Sequence, residues 1–216
     1  MWFDDLDPDD RWTPAIEHLK ADPALAWCIE RAGPCTLRPK RGGGDVYTYL
    51  VKSIFNQQLS IKGATTLYNR FVADFPRKKP TPDLVLPALT GGWTDEHVKH
   101  CGLSRQKRAY LIDLSEKVLA GDVKLTGLGK LTDAEVIERL TRVKGVGEWT
   151  AQMILMFCLC RPDVLPTADL GLWEALKIAD GLDERPTPKQ LEARAEPWRP
   201  YRTVASWYLW RGAKGD

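Results

Sequence analysis

The chain is predicted to be all-α. Apolar residues recur at helical spacing along most of its 216 residues, helix-start signals are frequent, and no segment shows sustained strand alternation. Thr13 followed by Pro14 opens a first helix through about Lys20, because the fixed φ of proline suits the first helical position. Asp22 and Pro23 repeat that signal and lead to about Ala32. Residues 33–44 read as a loop rich in Pro, Gly and basic residues, with at most a short strand pairing in 33–41. Asp45 caps a helix with Val46, Tyr49, Leu50, Ser53 and Ile54 facing inward. Ser60 caps the next, in which Leu67, Tyr68, Phe71 and Phe75 recur at helical spacing. Thr81 and Thr94 start two short helices. Ser104 caps a longer one through about Ala120, with Ala109, Ile112, Leu114 and Val118 as its core face. Thr132 and Glu135 form a capping box opening a helix that carries Val136, Ile137 and Leu140. From about Gly147 to Leu159 the chain is apolar nearly all round, which predicts a central buried helix. Another helix begins near Thr167, Pro186 and Pro188 punctuate, and a last helix runs from about Pro200 to Gly212.

Composition narrows the function. Hydrophobic residues at 44% and charged residues at 28% are ordinary for a soluble globular protein, and this length allows one large domain or two small lobes. The net charge of +2 does not announce a nucleic-acid partner. Positive charge is local, at Arg38-Pro-Lys40-Arg41, Arg77-Lys78-Lys79 and Arg105-Gln-Lys107-Arg108, while Asp4, Asp5, Asp7, Asp9 and Asp10 make the start acidic. Nine tryptophans are many for this length, and flat aromatic faces suit a heteroaromatic ligand. Cys28, Cys35, Cys101, Cys158 and Cys160, odd in number and irregularly spaced, read as reduced thiols in a cytosolic protein. No Cys/His cluster is visible in the sequence, so a zinc or iron–sulfur site is not expected, and His18, His97 and His100 read as surface residues. No apolar run reaches the roughly 18 residues of a membrane span, and the acidic start does not resemble a signal peptide.

Two segments carry chemistry. In Leu140-Thr-Arg-Val-Lys144-Gly145-Val146-Gly147-Glu-Trp149-Thr150-Ala151 a helix stops, turns on two glycines and starts again. Glycine permits φ > 0 and close backbone approach. The helix after Gly147 presents unpaired N–H groups and a positive dipole end, a ready site for a phosphate oxygen. Val143 and Val146 would pin the turn to the core. Downstream, Leu165-Pro-Thr-Ala-Asp169 puts one carboxylate at a helix start, where the dipole favours its anionic form. Such a carboxylate either caps its helix or stabilises developing positive charge, and the hairpin upstream favours the second role.

The hairpin string resembles the helix-hairpin-helix of the DNA glycosylase superfamily. Val164-Leu-Pro166-Thr-Ala-Asp169 is similar to the loop before that family's catalytic aspartate, and Tyr49-Leu-x-Lys52-Ser-Ile-x-x-Gln57-Gln58-Leu59-Ser60-x-Lys62 to the segment carrying its DNA wedge. Cys101-Gly-Leu-Ser104-Arg-Gln-Lys107 and Trp198-Arg-Pro-Tyr201-Arg resemble blocks of one branch, the alkylation-type DNA-3-methyladenine glycosylase II. The resemblance covers about residues 45–212. It implies a two-lobed helical fold with an active-site cleft between the lobes. One lobe would be 46–163, with the helix-hairpin-helix at about 132–160, and the other 1–45 plus 164–216. It implies extrusion of an alkylated base, of 3-methyladenine or 7-methylguanine type, from duplex DNA and its hydrolytic removal.

The roles the resemblance implies are as follows. Asp169 is catalytic, stabilising the positive charge that builds on the sugar as in glycoside hydrolysis. Trp149, Tyr201 and Met153 line the base pocket, aromatic faces attracting a cationic methylated purine. Gln58, with Leu59 as the alternative, fills the gap left by the extruded base. Lys144, Gly145, Val146, Gly147 and Thr150 grip the DNA backbone. Members that also cut the strand carry a lysine where this chain has Trp149, so a monofunctional enzyme without lyase activity is expected. The backbone carbonyls of Thr141, Val143 and Val146 match those that hold a Na⁺ or K⁺ ion in family members, and no other cofactor is required. Met153 replaces a frequent aromatic, which implies a more open pocket, and the short stretch before the matched region implies that an extra N-terminal β-domain of some relatives is missing. A cytoplasmic, nucleoid-associated monomer with no membrane partner is expected. The rivals are the same fold acting on another damaged or mismatched base, a non-catalytic DNA-binding module, and a protein-contact scaffold.

Overall fold

The computed structural model describes residues 10–38 and 45–213. The acidic residues Asp4, Asp5, Asp7 and Asp9 and the loop residues 39–44 lie outside the described residues. Among the described residues there are twelve α-helices: α1 Thr13–Leu19, α2 Pro23–Ala32, α3 Val46–Asn56, α4 Ile61–Ala73, α5 Pro82–Pro87, α6 Asp95–His100, α7 Arg105–Ala120, α8 Asp133–Thr141, α9 Glu148–Phe157, α10 Leu170–Asp180, α11 Pro188–Ala195 and α12 Arg202–Gly212. No strand forms among the described residues, including those of 33–38.

Caps set most of these boundaries. The side chains of Asp22, Asp45, Ser60, Thr94, Ser104 and Thr132 accept first-turn amides of their helices, each satisfying a donor that the helix leaves open. Two expected caps differ. Thr13 lies inside α1 with Trp12 at the cap position, and Thr81 precedes α5 without a side-chain cap bond. Helix α11 is an addition, opened by a capping box between Thr187 and Gln190 where the prolines suggested only punctuation.

The chain divides into two compact units, Met1–Lys40 with Leu155–Asp216, and Arg41–Ile154. The division falls earlier than the expected 163/164 boundary, so the last turn of α9 goes with the first unit. In that unit α12 packs along α2, with α10 against both. The packing is close enough that a Cβ on Gly212 would sit 2.4 Å from the Cys28 backbone. Trp198, Trp207 and Tyr208 are fully buried there. A charged group is also taken in. Asp22 accepts from Arg194 and from Trp198 Nε1 at 2.8 Å, and Arg194 donates on to Asp180 at 2.9 Å. Burial works to raise the Asp22 carboxyl, but the Arg194 guanidinium and the Trp198 indole outweigh it and bring it down to about 2.

In the second unit α5 lies along α7, and α3 packs on α4 and α7. Phe55, Tyr68, Phe71, Phe75 and Trp93 form a continuous ring cluster with centroid spacings of 5.1–5.8 Å. Two inward faces differ from the expected ones. On α3, Tyr47 is buried while Tyr49 is only half-buried. On α7 the buried residues are Leu111, Asp113, Leu114 and Ser115, with Ala109 exposed and Ile112 and Val118 half-buried. Polar residues on that face account for the shift: Tyr47 Oη and Ser115 Oγ are hydrogen-bonded at 2.7 Å, and Asp113 has a structural task described below.

Candidate active site

The hairpin forms as the sequence indicates. Helix α8 stops at Thr141, and α9 restarts at Glu148. Val143 and Val146 are buried, and the Val146 amide donates to Val143 O at 3.1 Å across the turn. Gly145 adopts φ +80°, and a Cβ there would lie 2.2 Å from the ring of Tyr110, so both its conformation and its closeness require glycine. Gly147 differs from expectation: it has no left-handed φ, and a Cβ would meet nothing within 4 Å. Its absent side chain keeps the approach to the α9 N-terminus open rather than shaping the turn. Thr150 is buried, and the mostly exposed Lys144 side chain brings Nζ to 3.6 Å from Asp113 Oδ1.

Asp113 anchors this hairpin from α7. Its Oδ2 accepts the Lys144 amide at 2.8 Å and Lys117 Nζ at 2.9 Å, and Lys117 also donates to Arg142 O at 2.6 Å. Burial works to raise the Asp113 carboxyl, but the Lys144 amide and the Lys117 ammonium overcome it and hold it below the ordinary carboxylate range. The carbonyls expected to hold a monovalent cation belong to the end of α8 and to the turn. Val143 O already accepts one hydrogen bond, and a carbonyl has a second lone pair, so this neutral oxygen set still fits a hard cation.

The segment expected to carry the wedge leaves the end of α3. Gln58 has φ +59°, a left-handed conformation that costs a non-glycine residue about 1 kcal/mol or more, and it is exposed. Leu59 is 42% exposed. The residue before them is tied down: Gln57 Nε2 donates to Gly145 O at 2.8 Å. Lys107 Nζ caps the end of α3 at Phe55 O, 2.8 Å away.

On α9, Trp149 is 44% exposed, so it is not a core residue, while Met153 one turn later is buried. Gln152 is buried too and bonds Glu148 at 3.2 Å. The expectation of a fully buried central helix holds from Thr150 to Cys158 but not for its first turn.

Asp169 is the N-cap of α10. Its Oδ1 accepts the Leu172 amide at 2.5 Å and Trp210 Nε1 at 3.0 Å, so two donors from different helices fix the carboxylate. Gly171 makes room for that arrangement, because a Cβ on it would come within 3.1 Å of Oδ1. The loop leading to Asp169 is held by Trp173 Nε1, which donates to Thr167 O at 2.7 Å, and by the Asp169 amide, which donates to Pro166 O at 3.0 Å. The carboxylate therefore does cap its helix, and this is also what orients it.

Tyr201 stands half-buried at the start of α12, its ring edge-on to His18 at 5.6 Å. His18 itself bonds Pro197 O at 2.9 Å. The fold also gathers a group that the sequence does not show as a cluster. Asp74, His97 and Cys101 place ligand-type atoms within 4.8 Å of one another, with His97 Nε2 and Asp74 Oδ2 hydrogen-bonded at 2.8 Å. Burial, with Asp74 adding to it, pushes the Cys101 thiol up, which keeps it protonated and a poor ligand. Gln57, Asp113 and Trp210 are the site-region residues that the sequence reading missed.

Residues 51–200 match the family described as HhH-GPD superfamily base excision DNA repair protein. The chain is 34% identical over 173 residues to the putative DNA-3-methyladenine glycosylase YfjP of Bacillus subtilis, covering 77% of this chain and 58% of that relative's length. It is 32% identical to DNA-3-methyladenine glycosylase 1 of Schizosaccharomyces pombe, covering 79% of this chain and 73% of the relative. Among solved structures, the S. pombe 3-methyladenine DNA glycosylase in complex with abasic DNA superimposes with a TM-score of 0.79 at 32% identity, covering 91% of this chain and 95% of that one. The chain belongs to the HhH-GPD superfamily of base excision DNA repair proteins, in its alkylation-type DNA-3-methyladenine glycosylase branch.

Proposed function

We propose that this protein excises alkylated purines, of the 3-methyladenine and 7-methylguanine type, from duplex DNA by hydrolysis, leaving an abasic site. The observation that carries this reading is Asp169. A carboxylate held by two donors through one oxygen is oriented before substrate arrives, and pre-orientation is what stabilisation of a developing cation requires. Breaking the N-glycosidic bond builds positive charge on the sugar, and Asp169 faces that charge and orients the attacking water. The proposal requires Trp149, Tyr201 and Met153 to meet the extruded base once DNA is bound. Trp149 is 44% exposed, and the face of an indole attracts a cationic purine. Residues 144–150 grip the phosphate backbone, with Gln58 and Leu59 entering the duplex.

Trp149 stands where strand-cutting members carry a lysine, so water is the nucleophile and no Schiff base forms. Carbonyls of Thr141, Val143 and Val146 would hold a Na⁺ or K⁺ ion at the hairpin, which supplies positive charge beside a DNA phosphate when bound. The protein works on chromosomal DNA as a monomer. A panel of duplexes bearing single methylated, deaminated, oxidised or mismatched bases tests the reading: base release confined to the methylated purines is expected, and release of oxidised or mismatched bases alone would overturn it.

A further inference from the structure

We infer that Gln57 is a positioning residue that couples the hairpin's grip on the DNA backbone to insertion of the wedge segment, an inference that rests on the proposed function. Three observations within one compact unit carry it. Gln57 Nε2 donates to Gly145 O at 2.8 Å across 88 residues of sequence. That carbonyl belongs to the peptide whose N–H, on Val146, donates to Val143 O, so the Gly145–Val146 peptide is held at both ends. The two residues that follow Gln57 are the strained Gln58, at φ +59°, and the exposed Leu59.

The physical consequence is a shared constraint. The orientation of the 145–146 peptide sets where the next amides, at the start of α9, point. The same hydrogen bond fixes the end of α3, from which Gln58 and Leu59 project. A phosphate seated on the α9 N-terminus therefore finds the wedge already aimed, and the left-handed conformation of Gln58 is kept because its preceding residue cannot relax. Without the bond the hairpin still binds phosphate through its own amides, but the wedge samples other conformations and base extrusion becomes rarer. Strain retained at a site by a neighbouring constraint is the expected form of such pre-organisation.

The test uses Gln57→Glu, which keeps the shape but replaces the donating amide by an acceptor facing the carbonyl, and Gln57→Lys, which restores an N–H donor. Both are made in the active protein and in the Asp169→Asn background, where extrusion is read without chemistry by the fluorescence of 2-aminopurine beside a tetrahydrofuran abasic site in a duplex. Gln57→Glu is expected to lower both the fluorescence gain and the single-turnover excision rate at saturating enzyme by about tenfold, the worth of one hydrogen bond, with affinity for undamaged duplex within about twofold. Gln57→Lys is expected to recover part of the loss. The deficit should shrink when the damaged base is mispaired, because extrusion is then cheaper. Unchanged fluorescence in Gln57→Glu overturns the coupling. So does an equal fall in duplex affinity with no relief on the mispaired substrate, since that marks a merely structural bond. A fluorescence gain by the parent protein with no release of any methylated base would instead overturn the proposed function and leave the coupling standing; no gain in the parent overturns the coupling itself.

Discussion

Asp169 is built to be still. Its orienting donors come from its own helix and from Trp210, so Trp210→Phe, which keeps the ring and removes the N–H, is expected to lower the single-turnover excision rate about tenfold with little change in duplex affinity. Gly171→Ala should act on the same oxygen by crowding. Trp149 gives the complementary case. Because it is 44% exposed, Trp149→Ala should cost about 1 kcal/mol of stability, less than a core tryptophan, while excision of methylated purines falls by an order of magnitude. Equal losses of stability and activity would return Trp149 to a packing role. Asp169 and Trp149 stand out as candidates in the sequence because each sits in a contiguous string that resembles a family motif. Trp210, Asp113 and Gln57 do not, because their partners lie 41, 31 and 88 residues away and nothing local marks them.

At the scale of the element, the hairpin is a turn held from below. Tyr110 lies under Gly145, and Asp113 takes the Lys144 amide. Gly147 has neither constraint, so Gly147→Ala should fold normally and lose duplex affinity, because the added methyl lies on the open approach to the α9 amides. A melting curve beside a binding titration checks both halves. Asp113→Asn should weaken the hairpin, costing about 1–3 kcal/mol at neutral pH. Since the folded Asp113 carboxyl is depressed, its contribution is complete above the ordinary carboxylate range and fades as pH falls through the lowered value. The cost of the substitution should fade in the same acid window. Most helix starts were legible where a side chain caps a first turn, the exception being α11, whose Thr187–Gln190 box is hidden between two prolines. Inward faces were less so: on α7 the buried face carries Asp113 and Ser115, which apolar periodicity counts as outward.

At the scale of the whole molecule, the unit formed by 1–40 and 155–216 is stabilised by an apolar α2–α12 contact and by a charged group. Gly212→Ala should destabilise it by more than about 1 kcal/mol, since the Cys28 backbone cannot yield to the new methyl. Asp22, brought down to about 2, contributes stability that is fully present above about pH 4 and is lost as pH falls through about 2. Asp22→Asn is thus expected to cost about 2 kcal/mol at pH 7 and almost nothing near pH 2, measured by chemical denaturation. All-α class and family followed from ordered motifs along the chain. The boundary between the compact units falls inside α9, a continuous helix whose sequence carries no linker signal there. Among the described residues no helix is long and apolar enough to cross a membrane. The most direct test of the central claim is single-turnover release of 3-methyladenine and 7-methylguanine from methylated duplex DNA by the parent protein and by Asp169→Asn. Release by the parent, reduced at least about a hundredfold in the variant, is the predicted result; equal release by both, or by neither, would contradict it.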